Sequence, residues 1–122
     1  MAFSLKKRIN SFRYAAAGIG IVVKSQHNAW IHLVASLGVI GAGVYFDIER
    51  DGWLWIIVAM ALVWMAEALN TAVELLADAI TSEYHPLIKK AKDVAAGAVL
   101  FAAIGAAAIG LAVFFPYLMG GG

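Results

Sequence analysis

Three long apolar runs, residues 29–46, 52–76 and 94–118, constrain the fold of this 122-residue chain more than any other feature. The hydrocarbon core of a bilayer is about 30 Å thick, so a helix of about 20 apolar residues crosses it. With 63% hydrophobic and 14% charged residues, the chain lacks the polar surface that a soluble domain needs. The sequence predicts an all-α membrane protein with three transmembrane helices, folded as a single domain over residues 1–122.

The basic residues are distributed unevenly around these runs. Eight of the nine Lys and Arg residues lie before the first run or between the second and third, and only Arg50 lies in the loop between the first and second. Because basic loops stay in the cytoplasm during insertion, this bias predicts a multi-pass protein with a cytoplasmic N-terminus. The absence of cysteine excludes disulfides and thiolate chemistry.

An acidic residue, Glu67, interrupts the second run, and Asn70, Glu74 and Asp78 follow on the same helical face. The spacing i, i+3, i+7 stacks the first three of these side chains over two helical turns. An acidic residue at the bilayer centre costs roughly 2.5 to 3.5 kcal/mol on insertion scales, so such groups usually serve function. The series predicts a site for a divalent cation and a polar reaction near the cytoplasmic end of this span.

An N-terminal helix is predicted over residues 5–24, where apolar side chains recur at spacings of three and four: Leu5, Ile9, Phe12, Ala16, Ile19 and Val23. Basic side chains lie off that stripe, which predicts an amphipathic surface helix in the headgroup layer. The pattern alone favours a simple anchor. The functional alternative is that this helix lies beneath the site and allows a lipid headgroup to reach Glu67 from the side.

The connection between the second and third runs, residues 81–93, is also polar. Pro86 separates the two helices and leaves residues 82–85 in a turn at the membrane surface. Lys89, Lys90 and Lys92 follow this turn. They could bind phosphates, although a basic cluster beside a membrane is more often an orientation signal.

The string EALNTAVELLADAITSEYHPLIKKAKDVAAGAVL, residues 67–100, resembles the signature of the small bacterial integral-membrane lipid kinases, the prokaryotic diacylglycerol kinase and undecaprenol kinase family. Its core is ExxNxxxE, followed by EYH and AKD, and a looser match runs upstream through SFRYAAAG and SQHNAWIHL. The resemblance implies a homotrimer in the bacterial inner membrane. Its active sites would lie near the cytoplasmic face and combine residues of neighbouring protomers.

The resemblance also implies the reaction, which is ATP- and Mg²⁺-dependent phosphorylation of the hydroxyl of a membrane lipid alcohol. Glu67 matches the catalytic carboxylate and would accept the proton of the lipid hydroxyl as it attacks the γ-phosphate. Asn70 would orient the reacting groups, and Glu74 matches the Mg²⁺ ligand. Lys92 would stabilise charge on the transferring phosphoryl group.

The ATP-binding set that the resemblance implies is Lys7, Tyr14, Glu83, Tyr84, His85, Lys92 and Asp93. The EYH turn would bind the nucleotide, and Asp93 would fix either Lys92 or the nucleotide. Tyr14 corresponds to an aromatic residue near the nucleotide, and Lys7 is expected to reach the polyphosphate. No nucleic-acid partner is expected.

One departure from the family pattern concerns the metal site. Many members have a glutamate shortly before the first span, whereas this chain has Gln26 in SQHN. An amide oxygen can bind Mg²⁺ but brings no charge, so either metal affinity falls or Asp78 compensates. Nearby His32 is either a packed, hydrogen-bonding histidine or part of the site where the lipid enters.

Two lipid substrates fit the resemblance. The strings HNAWIHL and HPLIKKAKDVAAGAVL favour undecaprenol, and diacylglycerol, giving phosphatidic acid, is the alternative. A different class of protein, a small proton-coupled transporter, also uses carboxylates within spans. Such a carrier needs access from both faces, whereas the polar groups here cluster at one end, and it gives no role to EYH and AKD.

Overall fold

The computed structural model describes residues 2–25 and 27–120, and this part of the chain forms four α-helices. They are α1 (Leu5–Ser25), α2 (His27–Phe46), α3 (Arg50–Ile80) and α4 (Pro86–Leu118). α2, α3 and α4 are long and apolar enough to cross a membrane. The predicted all-α architecture with three candidate membrane spans is therefore confirmed. The surface position of α1 and the homotrimer stay predictions.

α3 and α4 are longer than one crossing requires. They contain 31 and 33 residues, which correspond to about 46 and 50 Å of helix against a hydrocarbon core of about 30 Å. Charged residues at positions 47–51 mark one boundary of the apolar region, which we call the loop end. The extra turns therefore lie at the opposite end, residues 74–93, which we call the polar end.

A tight turn at the loop end folds α3 back along α2. Asp47 has a φ of 50°, in the left-handed region that Asp tolerates better than most residues. Its N–H donates to the Val44 carbonyl at 3.2 Å, and the Ile48 N–H donates to the Gly43 carbonyl at 3.1 Å. These two bonds form a Schellman motif, and the buried Ile48 that follows lies beside Gly52 of α3.

α3 is the central helix, because α1, α2 and α4 all pack against it. α4 runs antiparallel to α3, with Lys92 beside Asp78 at the polar end and Val113 beside Gly52 at the loop end. Lipid tails are as apolar as side chains, so close packing rather than the hydrophobic effect joins helices here. The buried residues of α3 recur at helical spacing: Ile56, Ala59, Val63, Glu67, Asn70, Thr71 and Ala77.

The contact between Gly43 and Trp53 tests the α2–α3 packing. A Cβ atom at Gly43 would lie 2.5 Å from Cη2 of the Trp53 ring and 2.8 Å from Cζ2. Gly43→Ala should therefore lower the midpoint of thermal unfolding in detergent, since overpacking costs about 1 to 3 kcal/mol. Gly41→Ala is the matched control, because a Cβ there meets no neighbouring atom within 4 Å. Equal midpoints for the two variants would contradict this packing.

Candidate active site

Glu67 lies within the α3 span, two turns before the polar end. It is about 24 Å along the helix axis from Asp51, at 1.5 Å per residue, which is most of the way across a core of about 30 Å. Its side chain is fully buried, with a relative exposure of 0%. Asn70 and Thr71, on the next turn, are also buried. The structure thus encloses a carboxylate and an amide near one boundary of the apolar region.

The oxygen atoms of this cluster differ in how they are satisfied. Thr71 Oγ1 donates to the Glu67 backbone carbonyl at 3.0 Å, so the hydroxyl has a partner within its own helix. Among the described residues, both carboxylate oxygens of Glu67 and Oδ1 of Asn70 are buried with no hydrogen-bond partner. A buried polar atom without a partner costs about 1 to 3 kcal/mol. Such atoms in a native site call for a ligand or a catalytic role.

His32 of α2 approaches this carboxylate from the neighbouring helix. Its Nε2 lies 3.3 Å from Glu67 Oε2, within ion-pair distance but without hydrogen-bond alignment. The histidine side chain is mostly buried, with 15% exposure, and it also lines an apolar groove of about 740 Å³ between α2, α3 and α4. The pairing of His32 with Glu67 could not be predicted from the sequence, because neither SQHNAWIHL nor ExxNxxxE specifies the register between α2 and α3.

The lysines and acids of the polar end form two ion pairs. Lys92 Nζ lies 3.0 Å from Asp78 Oδ1, joining α4 to α3. Lys89 Nζ lies 2.6 Å from Asp93 Oδ2, one turn along α4. Asp93 therefore contacts Lys89 rather than Lys92, and its contact with the nucleotide stays a prediction. These pairs are largely exposed and contribute little stability.

The turn between α3 and α4 is ordered by its own side chains. His85 is the N-cap of α4, because its Nδ1 accepts a hydrogen bond from the Leu87 N–H at 3.2 Å. Pro86 occupies the first position of the helix, where its missing N–H costs nothing. Thr81 Oγ1 accepts from the Glu83 N–H at 3.0 Å. The EYH segment is thus set at the polar end, one connection away from Glu67.

The remaining predicted site residues lie apart from this cluster or are not described. Lys7 and Tyr14 are exposed on α1, and within residues 2–25 and 27–120 neither has a side-chain hydrogen bond or ion pair to the cluster. Gln26 lies outside the described residues. Glu74 is partly exposed, two turns beyond Glu67 on α3. The described residues contain no group of three or more His, Asp or Glu side chains arranged to hold a metal ion.

Comparisons with known proteins agree on one family. A family model described as prokaryotic diacylglycerol kinase matches residues 13–114. The undecaprenol kinase of Bacillus subtilis (strain 168) is 36% identical over 114 residues, which cover 93% of each chain. A diacylglycerol kinase of Synechocystis sp. is 40% identical over 110 residues, covering 89% of this chain and 63% of that protein. A diacylglycerol kinase of Escherichia coli (strain K12) is 38% identical over 88 residues, covering 66% of this chain and 72% of that protein.

The matched residues include the buried cluster on α3, the EYH turn and the start of α4. The family match covers more than half of the chain, and the relatives are similar over most of its length. The predicted resemblance is confirmed, and with it the enzyme class of lipid kinase. This chain belongs to the prokaryotic diacylglycerol kinase family.

Proposed function

We propose that this protein uses ATP to phosphorylate the hydroxyl of a membrane lipid alcohol at the cytoplasmic face of the bacterial inner membrane, with its N-terminus in the cytoplasm. The observation that carries the proposal is the buried Glu67 carboxylate, whose oxygens have no hydrogen-bond partner among the described residues. The family match supports phosphoryl transfer to a lipid and favours it over a proton-coupled transporter.

Glu67 acts as the general base in this reaction. An unpartnered carboxylate can accept a hydrogen bond from the lipid hydroxyl and take its proton as the new O–P bond forms. The bond between the γ-phosphorus and the bridging oxygen of ATP breaks, and ADP leaves. The side-chain amide of Asn70, one turn away, orients the reacting groups, and its Oδ1 has no other partner among the described residues. Lys92, at the start of α4, stabilises the negative charge on the transferring group.

The residues on this face of α3 also fit Mg²⁺. The ion prefers oxygen ligands, and with nucleotides it is usually bound by one or two carboxylates plus phosphate oxygens and waters. The buried Oδ1 of Asn70 without a partner and the carboxylates at positions 67 and 74 are all hard oxygen donors. Glu74 would hold the ion in this proposal, with Gln26 as a further ligand. When bound, Mg²⁺ would neutralise negative charge on the phosphates of ATP.

The nucleotide binds at the polar end, against the EYH turn and the first turns of α4. Tyr84 is exposed there, and the basic side chains of α4 lie close by. These lysines exchange their exposed carboxylate partners for phosphate at little cost, since exposed ion pairs are weak. Lys7 and Tyr14 of α1 complete the site, together with the set Glu83, His85, Lys92 and Asp93.

The enzyme assembles as a homotrimer in this proposal. One protomer leaves most of the α2 and α4 spans uncovered, and Cβ positions at Gly97, Gly105 and Gly110 of α4 meet no atom within 4 Å beyond the backbone of their own helix. Small residues in spans allow close helix approach. Three spans and the N-terminal helix α1 cannot by themselves enclose both a lipid headgroup and ATP, so neighbouring protomers supply the missing walls.

Undecaprenol is the substrate that we favour. The similarity to the undecaprenol kinase of Bacillus subtilis extends over 93% of both chains, whereas that to the Synechocystis diacylglycerol kinase covers 63% of the relative. Diacylglycerol is the alternative, because the identities of 36% and 40% do not separate the two substrates.

The proposal is tested by transfer of labelled γ-phosphate from MgATP to undecaprenol and to diacylglycerol, offered separately in mixed micelles. The purified protein should label undecaprenol faster. Glu67→Gln keeps the size of the side chain but removes the base, so kcat should fall by about 100-fold or more. Glu49→Gln makes the same chemical change at the exposed loop end and should retain activity.

Two outcomes would contradict this proposal. Substantial turnover in Glu67→Gln would remove Glu67 as the base. No labelled lipid from either substrate, with the protein verified as folded by its thermal unfolding, would argue against the kinase activity. Faster labelling of diacylglycerol would leave the activity and reverse the substrate assignment.

Glu74→Gln tests the metal site. The amide keeps an oxygen but loses the charge that attracts Mg²⁺, so half-maximal activity should require a higher Mg²⁺ concentration while saturating Mg²⁺ restores much of kcat. The readout is initial rate against free Mg²⁺ at fixed ATP, with Glu49→Gln as the control. A titration identical to that of the unaltered protein would argue against Glu74 as a ligand.

His85 substitutions separate the cap of α4 from nucleotide binding. His85→Ala removes the N-cap and should lower the free energy of unfolding by about 1 kcal/mol, whereas Asn is itself a good N-cap and should retain it. His85→Asn should nevertheless raise KM for ATP, because the imidazole is lost from the nucleotide site. If KM for ATP is unchanged in His85→Asn, then His85 serves only the cap.

A further inference from the structure

We propose that His32 is a positioning residue for Glu67. Its imidazole fixes the plane of the carboxylate, so that the second oxygen faces the lipid hydroxyl. This inference rests on the proposed function, in which Glu67 is the base. His32 Nε2 lies 3.3 Å from Glu67 Oε2, and His32 belongs to none of the motifs ExxNxxxE, EYH and AKD.

Two side-chain contacts, one helical turn apart, join α2 to α3 at this point. Trp64 Nε1 donates to Ser36 Oγ at 3.1 Å. His32 lies four residues before Ser36 on α2, and Glu67 lies three residues after Trp64 on α3. Because the two helices run antiparallel, His32 and Glu67 face each other on the next turn. The Trp64–Ser36 bond therefore fixes the register that places the histidine beside the carboxylate.

The imidazole ring of His32 is also held in place by a contact with the ring of Trp64. The rings of His32 and Trp64 meet edge to face, with centroids 6.4 Å apart and an interplanar angle of 71°. Such aromatic pairs are favourable and directional. Trp64 thus contributes twice, since its N–H fixes α2 against α3 and its ring supports the imidazole. Neither the Trp64–Ser36 bond nor the Trp64–His32 ring contact involves a residue of the proposed ATP-binding set.

A donor at this position matters because the Glu67 carboxylate is otherwise unconstrained. The last torsion of a glutamate side chain is broad and does not set the carboxylate plane. Neither oxygen has a hydrogen-bond partner among the described residues, and His32 Nε2, 3.3 Å from Oε2, is placed to donate to the carboxylate once the contact tightens. A distance of 3.3 Å is long for a hydrogen bond. Catalytic hydrogen bonds are often long in the free enzyme and tighten when substrate binds.

The test compares two variants of similar size. His32→Gln retains an N–H donor on an unbranched side chain, and His32→Met retains the bulk without the donor. We expect kcat to fall about 10- to 100-fold in His32→Met, as for a misplaced reacting group, and to recover substantially in His32→Gln. KM for ATP and for the lipid should change by less than about twofold in both, because the binding contacts are elsewhere.

A double-mutant comparison in the Glu67→Gln background gives the second readout. A positioning residue acts only through the carboxylate, so His32→Met should cause no further loss of single-turnover rate once Glu67 is replaced. An equal loss in both backgrounds would overturn the inference, as would equal kcat values for His32→Met and His32→Gln. If Glu67→Gln itself keeps its turnover, then the proposed function fails instead.

Ser36→Ala keeps the test decisive if His32→Met does not fold. The substitution removes the acceptor for Trp64 Nε1 without touching His32 or Glu67. It should lower kcat less than His32→Met does, with both KM values unchanged, because the register between α2 and α3 loosens. Trp64→Phe removes the donor of the same hydrogen bond, so an unchanged kcat in both Ser36→Ala and Trp64→Phe would overturn the proposed arrangement.

Discussion

A carboxylate inside an apolar span must be enclosed by protein, and the environment of α3 follows from that requirement. Charged groups at membrane depth are costly, and water cannot satisfy them within the hydrocarbon region. Glu67 therefore lies on the buried stripe of α3, with His32 of α2 beside it and Asn70 and Thr71 on the next turn. The helix is long enough to place this cluster near one boundary of the apolar region rather than at its centre. An active site can then meet both the lipid phase and the aqueous nucleotide.

Within one protomer, α3 packs much more extensively against α4 than against α2, and this difference bears on assembly. α4 packs along much of α3, whereas α2 joins α3 mainly at three places, the Gly43–Trp53 contact, the Trp64–Ser36 bond and the His32–Glu67 pair. Most of the α2 span remains uncovered. Interhelical bonds in lipid contribute about 0.6 kcal/mol on average, so these few contacts cannot alone make α2 rigid. Contacts with other protomers, as proposed for the trimer, would restrict α2 and with it the imidazole beside Glu67.

Much of this architecture follows from the sequence, because in a membrane the length of an apolar run largely determines the helix. The same applies to the stripe of Glu67 and Asn70, since residues three apart on one helix share a face whatever the fold. Contacts between helices were less predictable. The pairing of Lys92 with Asp78 and of Asp93 with Lys89, and the approach of His32 to Glu67, depend on the register and rotation of neighbouring helices. The N-cap role of His85 depends on local backbone angles that the EYH motif does not specify.

The unpartnered oxygens of Glu67 and Asn70 also bear on stability. Each of the three buried atoms costs about 1 to 3 kcal/mol, which together is a large fraction of the roughly 5 to 15 kcal/mol that stabilises a typical domain. Replacing the amide or the carboxylate by an apolar side chain would remove that cost. Retaining these groups makes physical sense where a substrate hydroxyl or a cation satisfies them. Ligands that bind only the folded protein then restore part of the lost stability by mass action. The unpartnered oxygens of Glu67 and Asn70 therefore destabilise the free protein and are also the atoms available to bind its ligands.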